Sequence, residues 1–201
     1  DNNQLTQQTR QGRYAHIYPF GMDDMAYCSD EGSYRRARLI NYLYQTADYN
    51  NARFVIPTSA PATVWADADR YWHELSVALK WSNLHCAYSI PSKLATLRVM
   101  RGLDANDTSH DQQTLSDIEI ETLAHAEHNR WTMEKLLMGF RKAKDSEDLY
   151  LHPEFAKELK KNKNLFIHHD IRPYDELPEA TKLLDKEIVR CIPWILKMSE
   201  S

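Results

Sequence analysis

SDIEIETLAHAEHNRWTMEKLLMGF, residues 116–140, is the stretch on which the reading of the chain turns. Ser116 precedes Glu119 by three positions, the spacing at which a serine hydroxyl and a glutamate carboxylate each bind a backbone N–H of a helix's first turn. Gly139 stands where a left-handed residue would end that helix. No proline or glycine intervenes, so a helix is expected to run to about Met138. At 3.6 residues per turn Ile120, Leu123, Ala124, Glu127, Trp131 and Met138 fall along one broad stripe, with His128 at its margin. A glutamate thus lies on an apolar face. Burying a carboxylate is costly unless it is paired or hydrogen-bonded, so Glu127 must find a partner. Arg172, Lys182 or a backbone amide in the region 168–185 are the candidates.

Working outward, a self-similarity appears. WHELSVALKWSNLHCAYSIPSKL (72–94) aligns without a gap on YDELPEATKLLDKEIVRCIPWIL (174–196), with seven identities in 23 positions. About one or two are expected from this composition. Upstream, ARLINYLY (37–44) matches AHAEHNRW (124–131), placing Asn41 opposite His128 and Tyr44 opposite Trp131. The chain is therefore read as two tandem helical units, each a leading helix, a loop and a proline-broken helix, packed against each other. Residues 1–13 form a tail or linker, 14–102 the first unit, 103–114 a connector and 115–201 the second unit. Within the first, Ser33 is expected to cap a helix over 34–47, YAHIYPF (14–20) is a strand candidate, and 54–65 reads as a loop. Helices are expected from Asp67 to about Lys80 and over 82–101, with a kink or break near Pro91 and a stop at Gly102. A last helix over 178–198 is interrupted at Pro193. The fold class is mainly α, with a short strand pair joining the units.

The remaining numbers narrow the function classes. Hydrophobic residues make up 42% of the chain and charged residues 27%, fitting an ordered globular protein. A net charge of −4 gives no general attraction to nucleic acid or anionic membranes. Cys28, Cys86 and Cys191 are widely spaced and read as free thiols in a reducing compartment. No apolar run is long enough to span a membrane. The chain opens at Asp1 on a polar stretch, which reads as part of a longer protein or a processed form. The lysine-rich stretch HPEFAKELKKNK (152–163) is expected to be a short exposed helix with a solvated face rather than a phosphate site.

On Leu123, Ala124, His128, Trp131, Gly139, Phe140, Pro173, Tyr174, Leu177, Lys182 and Asp185, residues 115–198 resemble the RyR domain. This is the repeat module of the cytoplasmic part of ryanodine receptors and of many bacterial proteins. The first half is similar more loosely, with Asn41 where the family has histidine. It looks like the region preceding this module in bacterial proteins that also carry an NAD-binding TrkA-type domain. RKAKDSEDLY (141–150) replaces the family's glycine-containing tract. The resemblance implies a cytoplasmic, non-catalytic regulatory or sensor module binding a small anionic, nucleotide-like ligand. It implies neither a cofactor nor a channel.

Three readings of the cluster stay open on the residues alone. Glu127 and His128 could form a structural network pinning the Pro-Tyr turn at 173–174. Trp131 and Tyr174 could offer flat surfaces to a ligand whose anionic group meets Arg172 or Lys182. His125 and His128 could belong to a metal-dependent hydrolase, although HAEH lacks the four-residue histidine spacing of zinc proteases. Candidate ligand-binding residues are Glu127, His128, Trp131, Arg172, Tyr174 and Lys182; no catalytic or metal residue is assigned. A protein–protein assembly module is the main alternative function.

Overall fold

The structure, a computed structural model, describes residues 31–48, 53–104, 106–142, 144, 161–162 and 166–201. The tail, the 14–20 strand candidate, Cys28 and most of the lysine-rich stretch lie outside the described residues. The fold is mainly α. Helices α1 (Glu31–Gln45), α2 (Pro61–Glu74), α3 (Val77–Met100) and α4 (Asp117–Leu137) come first. Strands β1 (Lys161–Asn162) and β2 (Ile167–His168), a 3-10 turn (Tyr174–Glu176), α5 (Glu179–Arg190) and α6 (Ile192–Ser199) follow. The strands pair antiparallel with each other, within the second half, rather than joining the halves. Among the described residues no helix is long and apolar enough to cross a membrane.

The boundary signals act through identifiable bonds. Ser116 Oγ accepts from Glu119 N and Glu119 Oε2 accepts from Ser116 N at 2.7 Å, the reciprocal cap. Gly139, at φ 87°, closes α4, with Phe140 N donating to Lys135 O and Gly139 N to Leu136 O. Those two bonds satisfy carbonyls that a simple helix end leaves open. Gly102, at φ 68°, ends α3 in the same way. Three expectations are corrected. Ser33 is buried inside α1 and is not its cap. Helix α2 starts at Pro61, whose fixed φ and missing N–H suit a first turn, and the next boundary falls at Leu75–Ser76. Helix α3 runs unbroken through Pro91, with Ile90, Leu94 and Leu97 buried on either side of it.

The two aligned stretches share part of their course. Leu75 and Leu177 have nearly the same extended backbone, φ −76° and ψ 137° against φ −74° and ψ 144°. Each donates its N–H three residues back, to Trp72 O and Tyr174 O. What precedes them differs: a full helix ends at Glu74, whereas Tyr174–Glu176 is a single 3-10 turn. The prolines differ as well, since Pro193 follows a break at Cys191 that Pro91 lacks.

Helix α1 packs on α2, α3 and α6, while α4 packs on α3 and α5. One core runs from Ala37 to Met198 through both halves. The chain's end returns to its first described helix: Trp194 stacks on Tyr42, and Arg35 donates to Ser201 O at 2.6 Å. Ala124, Tyr174 and Leu177 form a small separate cluster under α4. Antiparallel packing of α3 on α4 sets Lys93 against Glu127 and Arg101 against Glu119, and that pairing of helices positions the site.

Candidate functional site

Glu127 is 2% exposed and is fully engaged. Lys93 Nζ, itself 5% exposed, lies 2.8 Å from Oε2. Arg130, one turn along α4, donates through Nε and Nη2 at 2.8–3.1 Å. Its Nη1 donates to Glu134 at 2.6 Å, and Glu134 also accepts from Lys135. Lys93, Glu127, Arg130, Glu134 and Lys135 thus form one chain of alternating charge along the α3–α4 seam. Burial opposes ionisation of Glu127, but the cations Lys93 and Arg130 outweigh it and hold its carboxyl below the ordinary value. Neither expected partner, Arg172 nor Lys182, reaches it. Arg172 turns back on His169, and Lys182 pairs with Glu179 and lies over the Tyr174 ring. The physical reason is proximity: Arg130 and Glu127 share a helix face, and α3 delivers a second cation.

His128 does tie α4 to the Pro-Tyr turn. Its Nε2 lies 2.9 Å from Arg172 O and its Nδ1 3.3 Å from Asp185 Oδ2. A carbonyl oxygen only accepts, so Nε2 carries an N–H toward Arg172 O, and an ionised Asp185 beside Nδ1 favours a second proton there; burial opposes that charge by raising the Asp185 carboxyl above its ordinary value. Burial disfavours the imidazolium too, but the bonds to Asp185 and Arg172 prevail and raise the pKa above the usual histidine value. The stripe itself is shifted from expectation. His128 is as buried as Glu127 and Glu134 is buried too, whereas Met138 is exposed and Trp131 only half-buried. Cys86 and Cys191 are free and buried, and burial pushes both thiols up to about 12.

Above this network opens a cleft of about 460 Å³ between α1, α3, α4 and α5. One wall carries His128, Arg130, Trp131 and Lys135, with His168 and Asp170 beside them. The other carries Asn41, Tyr44, Gln45, Ser82 and Asn83. Trp131 stacks on His128 with centroids 5.7 Å apart, meets His168 edge-on at 4.7 Å, and has Lys135 Nζ 5.7 Å from its centroid. His168 is held there because Arg141 O accepts its N–H, docking β2 on the end of α4.

Of the residues singled out from the sequence, His128 and Trp131 line the cleft and Glu127 lies beneath it. Tyr174 is buried behind His128, ring centroids 5.9 Å apart, and with Arg172 and Lys182 it stands outside the lining. His125 points away toward Asp175 and Tyr174. Among the described residues no group of three His, Cys, Asp or Glu side chains is placed to hold a metal. Lys93, Glu134, Lys135, Asn83 and Gln45 were not singled out as site residues. The Glu127–Arg130–Glu134 spacing was a readable signal for the ion chain, but nothing local marks Lys93. Comparison with protein-family models, curated proteins and solved structures gives no match.

Proposed function

We propose that the chain is a non-catalytic sensor module of RyR type, built from two tandem units. It works in the cytoplasm as part of a longer protein with an NAD-binding TrkA-type domain, and takes a small nucleotide-like ligand in the cleft between α1, α3, α4 and α5. The cleft carries this reading. Its volume of about 460 Å³ falls in the range of small-molecule sites, and Trp131 and Tyr44 give it aromatic walls. Arg130 and Lys135 stand beside Trp131, where an anionic group attached to a stacked ring would lie.

The test is a thermal-shift and calorimetric screen of the 201-residue chain with adenine, guanine, uracil and cytosine nucleotides. A ligand at 100 times its Kd should stabilise the chain by about 2.7 kcal/mol. Trp131→Ala should abolish that gain while the apo chain stays folded. A full panel without any stabilisation overturns the sensor reading. An assembly module is the second reading, favoured by the exposed Met133 and Leu137 on one face of α4, 56% and 81% accessible. Concentration-dependent association with no ligand response would select it.

A further inference from the structure

We infer that the cleft selects a ring of low net charge whose carbonyl- and nitrogen-bearing edge is read by the carboxamides of Asn41, Gln45 and Asn83. A nucleoside or nucleoside monophosphate fits this description and a polyphosphate does not. The inference rests on the cleft being the binding site and adds the ligand's class.

Two observations lead to it. The first is charge balance. In and beneath the cleft stand Lys93, Arg130 and Lys135, with His128 paired to Asp185, against Glu127, Glu134, Asp170 and Asp185. The cations are matched by carboxylates, most already paired at 2.6–3.3 Å. A polyanion would find little uncompensated positive potential, whereas one compact anionic group can share Lys135 at the edge of the network.

The second is the opposite wall. Three neutral amides, each carrying both a donor and an acceptor, face the cleft from α1 and α3. Asn41 is 2% exposed and its Nδ2 has no hydrogen-bond partner. Such a buried free donor is costly unless something completes it. In the aligned positions of the second half stand His128 and Asp185, which complete each other. The first half has Asn41 and Asn83 there, and the Asn41 Nδ2 donor remains for a ligand. A heterocycle edge with adjacent donors and acceptors, lying against Trp131 or Tyr44, complements this wall.

The experiment measures binding of adenosine, guanosine, uridine, their 5′-monophosphates and triphosphates, ribose 5-phosphate and inorganic tripolyphosphate to the full chain. At least one nucleoside or monophosphate should bind about tenfold or more tighter than its triphosphate and than ribose 5-phosphate. Asn83→Leu and Asn41→Leu should each weaken that ring ligand by about tenfold, the loss of one buried hydrogen bond. Gln45→Ala, at an exposed position that cannot unfold α1, should weaken it severalfold. Tighter binding of triphosphate or tripolyphosphate, or unchanged affinity in all three variants, overturns the inference while leaving the cleft as a binding site. Failure of every compound on the wild-type chain overturns both.

Discussion

Glu127→Ala leaves two cations in the protein interior without their shared anion. Lys93 would retain only the Ser89 hydroxyl, 2.5 Å away, and Arg130 only Glu134. Because Lys93 and Glu127 are 5% and 2% exposed, solvent cannot replace the lost partner. Removing one member of such a buried pair costs about 3–5 kcal/mol. That exceeds the roughly 1–3 kcal/mol of a single unpaired hydrogen-bond donor. For a chain of this size it corresponds to a fall in Tm of about 6–20 °C. Glu127→Gln restores the volume but turns an amide NH₂ toward either Lys93 or Arg130, so it should recover only part of the loss. The decisive variant is the double replacement Lys93→Met with Glu127→Leu. It removes the charge pair together and leaves Arg130 with Glu134, so it should be less destabilising than Glu127→Ala alone by about 1–3 kcal/mol. Urea unfolding at pH 7 followed by circular dichroism gives these differences. If Glu127→Ala lies within about 0.5 kcal/mol of wild type, or the double variant is no better than the single, the buried pair does not organise the α3–α4 seam.

Three further outcomes follow from named contacts. His128 has a folded pKa raised above its unfolded value of about 6.5, so its contribution is complete below that pH and fades as pH rises through the folded pKa. The stability difference between wild type and His128→Gln should therefore shrink from pH 6 to pH 9, and a difference that grows would contradict the imidazolium. Gly139→Ala meets no steric obstacle, its nearest neighbour being Phe166 at 3.8 Å, yet φ 87° strains any Cβ. It should cost about 1–2 kcal/mol in the same unfolding assay, and a neutral result would show that the α4 terminus relaxes. Ser116→Ala removes one half of the cap and should cost about 1 kcal/mol; no loss would mean that Arg101, which also binds Glu119, suffices to hold the turn.

Local signals and long-range pairing were unequally legible. The start and stop of α4 follow from Ser116, Glu119 and Gly139, and the stop of α3 from Gly102, because a cap or a left-handed turn involves residues only a few positions apart. The burial of Glu127 and its need for a partner also follow from helical period. The partner's identity does not. Lys93 lies 34 positions upstream on a helix whose packing angle and register emerge only when α1 fills the space behind it. Pro91 shows the same limit from the other side. An Ile-Pro pair occurs in both halves, but one stays helical between Ile90 and Leu94 and the other permits the break at Cys191. The Ile-Pro pair alone therefore does not decide whether the helix continues; its surroundings do. The cleft depends on such packing throughout. Most of one wall is a single stretch of α4, readable as HNRWTMEK. Its amide wall needs α1 and α3 brought side by side, and no pattern within either helix announces that Asn41 and Asn83 will face the same space. The carboxamide wall is therefore where substitution tests most about the site.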